Sequence, residues 1–136
     1  MDLKLHQQNW NELALENTPE WVVDTRQKEW STEDFFGTGK VLIDDLFSFI
    51  KRDGISYSSN SALDFGCGPG RLTQSLCDLF DHVDGVDISK EMIKQAKIKN
   101  RNRDKCNYFV VDNENLDTIA SNTYDVVFTY SVLQHI

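Results

Sequence analysis

Hydrophobic positions along residues 55–136 follow two different periodicities. Four short apolar runs are typical of strands. Between the first, second and third of these runs lie stretches with apolar residues three or four positions apart, which are typical of helices. Strands that alternate with helices favour a parallel sheet. The pattern therefore predicts an α/β fold. The strands are predicted at 61–65, 82–87, 108–111 and 124–130.

Residues 1–54 are predicted to form a helical N-terminal extension that precedes this α/β part. Thr18 and Ser31 are followed by sequences typical of helix starts, so each is interpreted as an N-cap. The tripeptide Gly37-Thr38-Gly39 is expected to interrupt the helix that follows Ser31. A longer helix is then predicted from Lys40 to the end of the extension.

A glycine-rich turn follows the first predicted strand. Its sequence, Gly66-Cys67-Gly68-Pro69-Gly70, lets the backbone reverse and lets a ligand approach closely, because glycine has no Cβ. The second strand ends at Asp87, 21 positions after Gly66. An acid about 20 residues beyond the first glycine of a strand–helix–strand unit binds ribose hydroxyls. Asp87 is therefore interpreted as a ribose-binding residue.

The spacing of these glycines distinguishes two kinds of nucleoside cofactor. Dinucleotide-binding turns carry G-x-G-x-x-G, whereas this turn carries G-x-G-x-G. The segment Leu63–Gly70, with Asp64 ahead of the glycines, resembles the first motif of the class I S-adenosylmethionine-dependent methyltransferases. An NAD-dependent oxidoreductase is the weaker alternative, since only the strand–helix–strand unit and Asp87 support it.

The resemblance extends over Ala62–Ile136 and implies a Rossmann-like methyltransferase fold with S-adenosyl-L-methionine as the cofactor. Right-handed crossovers predict a four-stranded parallel sheet in the order 3-2-1-4, with helices on both faces. The resemblance places Asp112 at the adenine amino group. No catalytic residue is assigned, but Tyr130 and His135 are implied on the substrate side. The implied cofactor-binding residues are Asp64, Gly66, Cys67, Gly68, Gly70, Arg71, Asp87, Ile88, Met92, Asp112, Asn113 and Tyr130.

The aromatic residues of the N-terminal extension have two interpretations. Trp10 and Trp21 are expected to pack the helices on the sheet, because aromatic side chains bury large areas. The segment Trp30–Gly39 is instead expected to act as a lid over the cofactor, as aromatic N-terminal segments do in methyltransferases that this chain resembles. Such a lid would exclude water during methyl transfer.

Charge and composition narrow the classes of partner and location. The chain has 136 residues and a formal net charge of −8, which disfavours binding to nucleic acids or anionic membranes. It lacks an apolar run of the roughly 18 residues that a membrane span requires. Its three cysteines, Cys67, Cys77 and Cys106, form no C-x-x-C pair, so neither a metal site nor a disulfide framework is indicated. A cytoplasmic protein with a small-molecule acceptor is predicted.

The end of the sequence leads to two further expectations. The methyltransferase family continues beyond its fourth motif, so the chain is expected to be a piece of a longer methyltransferase that lacks the C-terminal strands. The fourth strand would then be an open edge, and such edges recruit other chains. Self-association through that strand or through an exchanged C-terminal segment is therefore predicted. A non-catalytic module that binds S-adenosylmethionine stays open as an alternative to an active enzyme.

Overall fold

A computed structural model describes residues 2–26, 29–112 and 116–135. The helices and strands, in chain order, are α1 (Leu3–Glu16), α2 (Pro19–Val23), α3 (Thr32–Arg52), β1 (Ser61–Phe65), α4 (Arg71–Leu76), β2 (His82–Asp87), α5 (Lys90–Lys99), β3 (Cys106–Val110), β4 (Val126–Thr129) and a 3₁₀ helix (Leu133–His135). No helix within these ranges is both long and apolar enough to cross a membrane.

The four strands form one parallel sheet in the predicted order β3-β2-β1-β4. In the register of the sheet, Leu63 of β1 lies beside Asp84 of β2 and beside Val127 of β4. Because β1 is central, its middle residues are buried on both faces. The first two strands have the predicted bounds. β3 begins two residues earlier than expected, and β4 is shorter than expected at both ends.

The three helices that contact the larger core all lie on one face of the sheet. Side chains from α3, α4 and α5, such as Ile43, Leu76 and Ile93, pack with Val83 and Phe128 of the strands. The other face holds a smaller cluster without a helix residue, formed by Leu63, Val86 and Val111 against Phe65, Ile119 and Tyr124.

The prediction of helices on both faces is therefore wrong for the described part of the chain. The connection from β3 to β4 is where a helix would cover the second face. Its described part, residues 116–125, forms turns in place of a helix. Asn122 adopts a left-handed conformation there, with φ 55°. Turn-forming residues between Ile119 and Tyr124 favour this conformation over a helix.

Helix α3 is continuous, so the predicted interruption at Gly37-Thr38-Gly39 is wrong. Ser31 caps this helix as predicted, because its hydroxyl accepts a hydrogen bond from the Asp34 backbone N–H at 3.0 Å. Gly39 is needed for close packing instead. A Cβ at this position would overlap the carbonyl oxygen of Arg71 and lie 2.8 Å from its Cγ. Glycine in the middle of a helix thus indicates here a close approach between α3 and α4.

The segment after β4 begins with a tight change of direction. Ser131 adopts a left-handed conformation with φ 58°, and its side chain caps no helix in the described residues. A single 3₁₀ turn, Leu133–His135, follows. Val132, between Ser131 and this turn, lies against the glycine turn, close to Gly66. The left-handed residue turns the chain back toward the carboxyl ends of the strands.

Candidate functional site

A cavity of about 350 Å³ lies at the carboxyl ends of β1, β2 and β4. Ligands bind at this edge in open α/β sheets, and the volume falls within the range of roughly 300–1,000 Å³ typical of small-molecule sites. Its walls come from the glycine turn, from the residues that follow β2, from Tyr130–His135 after β4, and from α1 and α2. Segments far apart in the sequence thus enclose one space.

The glycine turn forms one wall of the cavity with its backbone. Gly66 and Gly68 have φ values of 79° and 53°, which other residues adopt with difficulty. The backbone N–H groups of Gly66 and Cys67 both donate to the Val86 carbonyl, at 2.8 and 2.9 Å. These two bonds tie the turn to the end of β2.

Asp87 connects the glycine turn to the residues that follow β2. One carboxylate oxygen accepts a hydrogen bond from the Gly68 backbone N–H at 2.9 Å, and the other accepts from the Ser89 N–H at 2.8 Å. Burial raises the pKa of Asp87, while these backbone donors act in the opposite direction. The carboxylate lines the cavity and keeps free lone pairs for a ligand.

Two other groups of the first motif are also buried. The Asp64 carboxylate accepts a hydrogen bond from the Thr73 hydroxyl at 2.6 Å, and burial raises the pKa of Asp64 to about 6. Burial raises the pKa of the Cys67 thiol well above its usual value. Because a thiol is nucleophilic as its thiolate, burial disfavours Cys67 as a nucleophile, and the residue lines the cavity.

The Arg71 guanidinium lies at the start of α4 and lines the cavity. Its Nη1 donates to the Thr38 hydroxyl at 3.1 Å and lies 3.5 Å from a carboxylate oxygen of Asp24. The group also lies over the ring of Phe35, 5.6 Å from the ring centre. Burial lowers the pKa of Arg71, but arginine stays protonated in proteins.

Helix α1 contributes residues that the sequence analysis missed. Leu3, His6 and Trp10 all line the cavity. The Trp10 indole N–H donates to Nε2 of His6 at 3.2 Å, and its ring meets the His135 ring edge-to-face at 5.3 Å between centres. Trp10 thus lines the cavity, a position that the sequence analysis did not assign to it. These three residues are three and four positions apart in the sequence, a spacing that places them on one face of a helix and could have identified them as a group.

The segment Trp30–Gly39, which was expected to be the lid, supplies no residue to the cavity lining. Phe35 is fully buried against Trp30 and Arg71 instead. The physical reason is the continuity of α3, which holds these residues on the far side of Arg71. Helix α1 takes the expected place, and it is fastened by two polar contacts. Gln7 donates to the Ile88 carbonyl at 2.9 Å, and Asn11 accepts from the Ser89 hydroxyl at 2.8 Å.

Most of the predicted site residues meet at the cavity, but three do not. Gly70 lies behind the turn against Tyr108. Asp112 is exposed, lies 4.0 Å from the Lys90 ammonium and is not part of the lining. Asn113 lies outside the described residues. The predicted residues that line the cavity are Asp64, Gly66, Cys67, Gly68, Arg71, Asp87, Ile88, Met92, Tyr130 and His135. Across residues 2–26, 29–112 and 116–135, no group of three potential metal ligands occurs.

Comparison with known protein families decides the class of this site. The family model described as a methyltransferase domain matches residues 63–136, which include the glycine turn, Asp87 and the segment after β4. The chain belongs to this methyltransferase family. The resemblance to class I S-adenosylmethionine-dependent methyltransferases is thereby confirmed. The oxidoreductase alternative loses its support.

Individual relatives agree with this assignment. The chain is 34% identical over 110 residues to an uncharacterized methyltransferase of Schizosaccharomyces pombe, covering 79% of this chain and 40% of the relative. It is 27% identical over 108 residues to a ubiquinone biosynthesis O-methyltransferase of Hydrogenovibrio crunogenus, covering 79% and 44%. The chain thus spans less than half the length of these two relatives.

The fold is also found among solved structures. Magnesium protoporphyrin IX methyltransferase from Synechocystis PCC 6803, crystallised with bound S-adenosylhomocysteine, superimposes with a TM-score of 0.66 at 21% identity. The similarity covers 100% of this chain and 61% of that one. The predicted Rossmann-like methyltransferase fold is therefore confirmed.

Proposed function

We propose that this chain forms the S-adenosylmethionine-binding part of a methyltransferase that acts on a small molecule. The observation that carries the proposal is the Asp87 carboxylate, which faces the cavity while the backbone of the glycine turn and of Ser89 holds it in place. A fixed carboxylate at the end of the second strand suits the two hydroxyls of a ribose.

The residues around the cavity fit this cofactor. Gly66 and Gly68 line the cavity in left-handed conformations that favour glycine, and a Cβ at Gly66 would overlap the Val132 side chain packed against the turn. Ile88 and Met92 provide an apolar wall beside Asp87, where a flat adenine ring would be sheltered from water. We further propose that Asp112 hydrogen-bonds the adenine amino group, with Asn113 as its neighbour in the sequence, as the family resemblance implies.

The cofactor, when bound, supplies a methyl group that its sulfonium already makes electrophilic. The chain's own residues then have to orient the reactants and exclude water, and proximity supplies much of the rate. Trp10 and Val22 cover the cavity from the N-terminal side. Tyr130 and His135 lie on the side that follows β4, and we propose that they face the acceptor. We propose that the His135 imidazole takes a proton from an acceptor hydroxyl or amine.

A small molecule is proposed as the acceptor for three reasons. The cavity of about 350 Å³ is covered by α1, which limits the size of a second ligand. The net charge of −8 is unfavourable for nucleic acids. The Hydrogenovibrio crunogenus relative is named for ubiquinone biosynthesis, which concerns a small molecule.

Calorimetric titration with S-adenosylhomocysteine and, separately, NAD tests the cofactor assignment. We expect the unsubstituted chain to bind S-adenosylhomocysteine and not NAD, and Asp87→Ala to lose this binding. Asp87→Asn keeps the size of the side chain and should weaken binding at least tenfold, because a charge-assisted hydrogen bond contributes roughly 1.5–3 kcal/mol. Asp81→Ala, at an exposed acid just before β2, is the matched control and should bind normally.

Two outcomes would change the proposal. Equal affinity of the unsubstituted chain and Asp87→Asn would refute the ribose-binding role of Asp87. Tight cofactor binding without methyl transfer to any phenol, amine or carboxylic acid tested would favour the alternative of a non-catalytic binding module.

We also propose that a second copy of the chain associates with β4 or exchanges a C-terminal segment. β4 pairs with β1 on one side, and within the described residues no strand pairs with its other side. Val127 in the middle of β4 is 64% exposed. Sedimentation velocity should show concentration-dependent dimers that Val127→Lys abolishes, and a monomer at all concentrations would contradict this.

The cytoplasmic location stays a prediction, which microscopy of the tagged protein in its source cells would test.

A further inference from the structure

Three aromatic side chains from the two ends of the described chain meet at the cavity. His6 and Trp10 lie on α1, His135 lies on the final 3₁₀ turn, and all three line the cavity. Trp10 lies between the two histidines. Its indole N–H donates to Nε2 of His6 at 3.2 Å, and its ring meets the His135 ring at an interplanar angle of 83°. Trp10 therefore connects one imidazole to the other.

The His135 side chain has little support from its own segment. The 3₁₀ helix Leu133–His135 is a single turn without a buried residue. Within this turn, the described contact of the imidazole is with the neighbouring Gln134, whose amide nitrogen lies 3.3 Å from Nε2 of His135. Holding such a side chain in one rotamer costs conformational entropy. A contact from a rigid element fixes the rotamer before any ligand binds.

Helix α1 is a rigid element of this kind. Gln7 donates to the Ile88 carbonyl, and Asn11 accepts from the Ser89 hydroxyl. These two contacts lie on either side of Trp10 in the sequence, so they fix the backbone of Trp10 relative to the end of β2. The ring that Trp10 presents to His135 is therefore supported by the sheet.

His6 fixes the orientation of the Trp10 ring on this backbone. The two residues are four positions apart, which makes them neighbours on one face of the helix. An indole N–H can only donate a hydrogen bond, and His6 supplies the acceptor. Nε2 of His6 can accept only while it carries no proton, so the imidazole in this arrangement is neutral, with its proton on Nδ1.

We propose that His6 is a positioning residue that acts through Trp10 to hold the His135 imidazole in place at the cavity. This inference rests on the proposed function, in which His135 faces the methyl acceptor, and it adds the residues that keep His135 there. A base must lie within hydrogen-bond reach of the proton that it takes, so free rotation of the His135 ring would slow the transfer. Helix α1 thus covers the cavity and also prepares its acceptor side.

Proton NMR at pH 8 tests this coupling, because the chain has three histidines, His6, His82 and His135. Histidine side chains are mostly neutral at this pH. Replacing each histidine in turn assigns its Cε1–H resonance, and the ring current of the Trp10 indole makes the His135 resonance sensitive to the position of that ring. Trp10→Leu removes the ring and defines the full change. We expect His6→Leu to produce more than half of that change.

Two variants and one internal reference serve as controls. His6→Gln keeps an acceptor oxygen near the position of Nε2 and should leave the His135 resonance close to its place in the unsubstituted chain. Asn9→Leu, at an exposed position of the same helix, should not move it. His82 lies on β2 and outside the cavity lining, so an unmoved His82 resonance shows that a variant is folded.

Three results would overturn the inference. The first is a Trp10→Leu variant in which the His135 resonance does not move, and the second is a His6→Leu variant that produces less than half of the full change. The third is a His6→Gln variant that moves the resonance as far as His6→Leu does. Failure of the unsubstituted chain to bind S-adenosylhomocysteine in the separate calorimetric titration would refute the proposed function, whatever these spectra show.

Discussion

The two glycines of α3 make a matched pair for testing how closely this helix packs. Apart from its chain neighbours and the backbone of its own helix, no atom of the described residues lies within 4 Å of the position that a Cβ at Gly37 would occupy, whereas a Cβ at Gly39 would overlap the Arg71 carbonyl oxygen. Both lie inside the same helix, two residues apart. Gly37→Ala and Gly39→Ala therefore add the same methyl group to the same element in two different surroundings.

The expected effects on the free energy of unfolding have opposite signs. Alanine is favoured over glycine in a helix interior by about 1 kcal/mol, so Gly37→Ala should stabilise the chain by roughly that amount. At Gly39 the same gain is opposed by overpacking, which costs about 1–3 kcal/mol or more. The upper end applies here because the overlapping atom belongs to the backbone and cannot rotate away. A net loss of about 1–2 kcal/mol is expected.

Urea unfolding followed by circular dichroism measures both changes. The midpoint should rise for Gly37→Ala and fall for Gly39→Ala, with similar slopes for all three proteins. Because Gly39 packs against Arg71, Gly39→Ala should also weaken S-adenosylhomocysteine binding, while Gly37→Ala should not. A Gly39→Ala variant that is as stable as the unsubstituted chain would refute the close packing of α3 on α4.

Three further predictions concern other residues of the core and the cavity. Asp64→Asn should stabilise the chain by up to about 3 kcal/mol above pH 6, because burial raises the pKa of Asp64 to about 6 from 3.8. The stability that the carboxyl contributes is present below pH 4 and is lost as the pH rises through 6, so urea titrations at pH 4 and pH 8 should differ in the size of the gain. Trp10→Ala should weaken S-adenosylhomocysteine binding about tenfold by calorimetry, whereas Trp21→Ala, which lies outside the cavity lining, should change it less than twofold. Tyr124→Phe should lower the unfolding free energy by about 1–2 kcal/mol in urea titrations, because the Tyr124 hydroxyl donates to the buried Asp84 carboxylate at 2.7 Å.

The sheet and the turn could be predicted because their determinants are local. Apolar runs located the strands and the glycine spacing identified Asp87 at the end of β2, whereas the strand order followed from the right-handedness of crossovers. Helix caps such as Thr18 and Ser31 are also local, since each hydroxyl accepts a hydrogen bond from a backbone N–H three residues ahead. These features follow from short-range steric and hydrogen-bonding preferences.

The cover of the cavity could not be predicted in the same way. Whether α1 or the segment Trp30–Gly39 lines the cavity depends on contacts between residues about 80 positions apart, such as those from Asn11 to Ser89 and from Gln7 to Ile88. The role of Gly39 in α3 depends on the Arg71 backbone. From the sequence alone this glycine predicts a break in the helix, whereas in the structure it allows α3 to approach Arg71 closely. Periodicity along one segment carries no information about such neighbours.

The parallel pairing of β1 with β4 has a consequence for the kinetics of folding. The contact between Ser61 and Asp125 closes a loop of 64 residues, while β4 supplies one of the two neighbours of the central strand. During synthesis, β1 emerges well before this neighbour exists, so its edge is free to pair incorrectly for several seconds at ordinary translation rates of about 5–20 residues per second. Contacts of high sequence separation also form slowly. The chain should therefore fold late, after β4 has left the ribosome, and depend on chaperones during that interval.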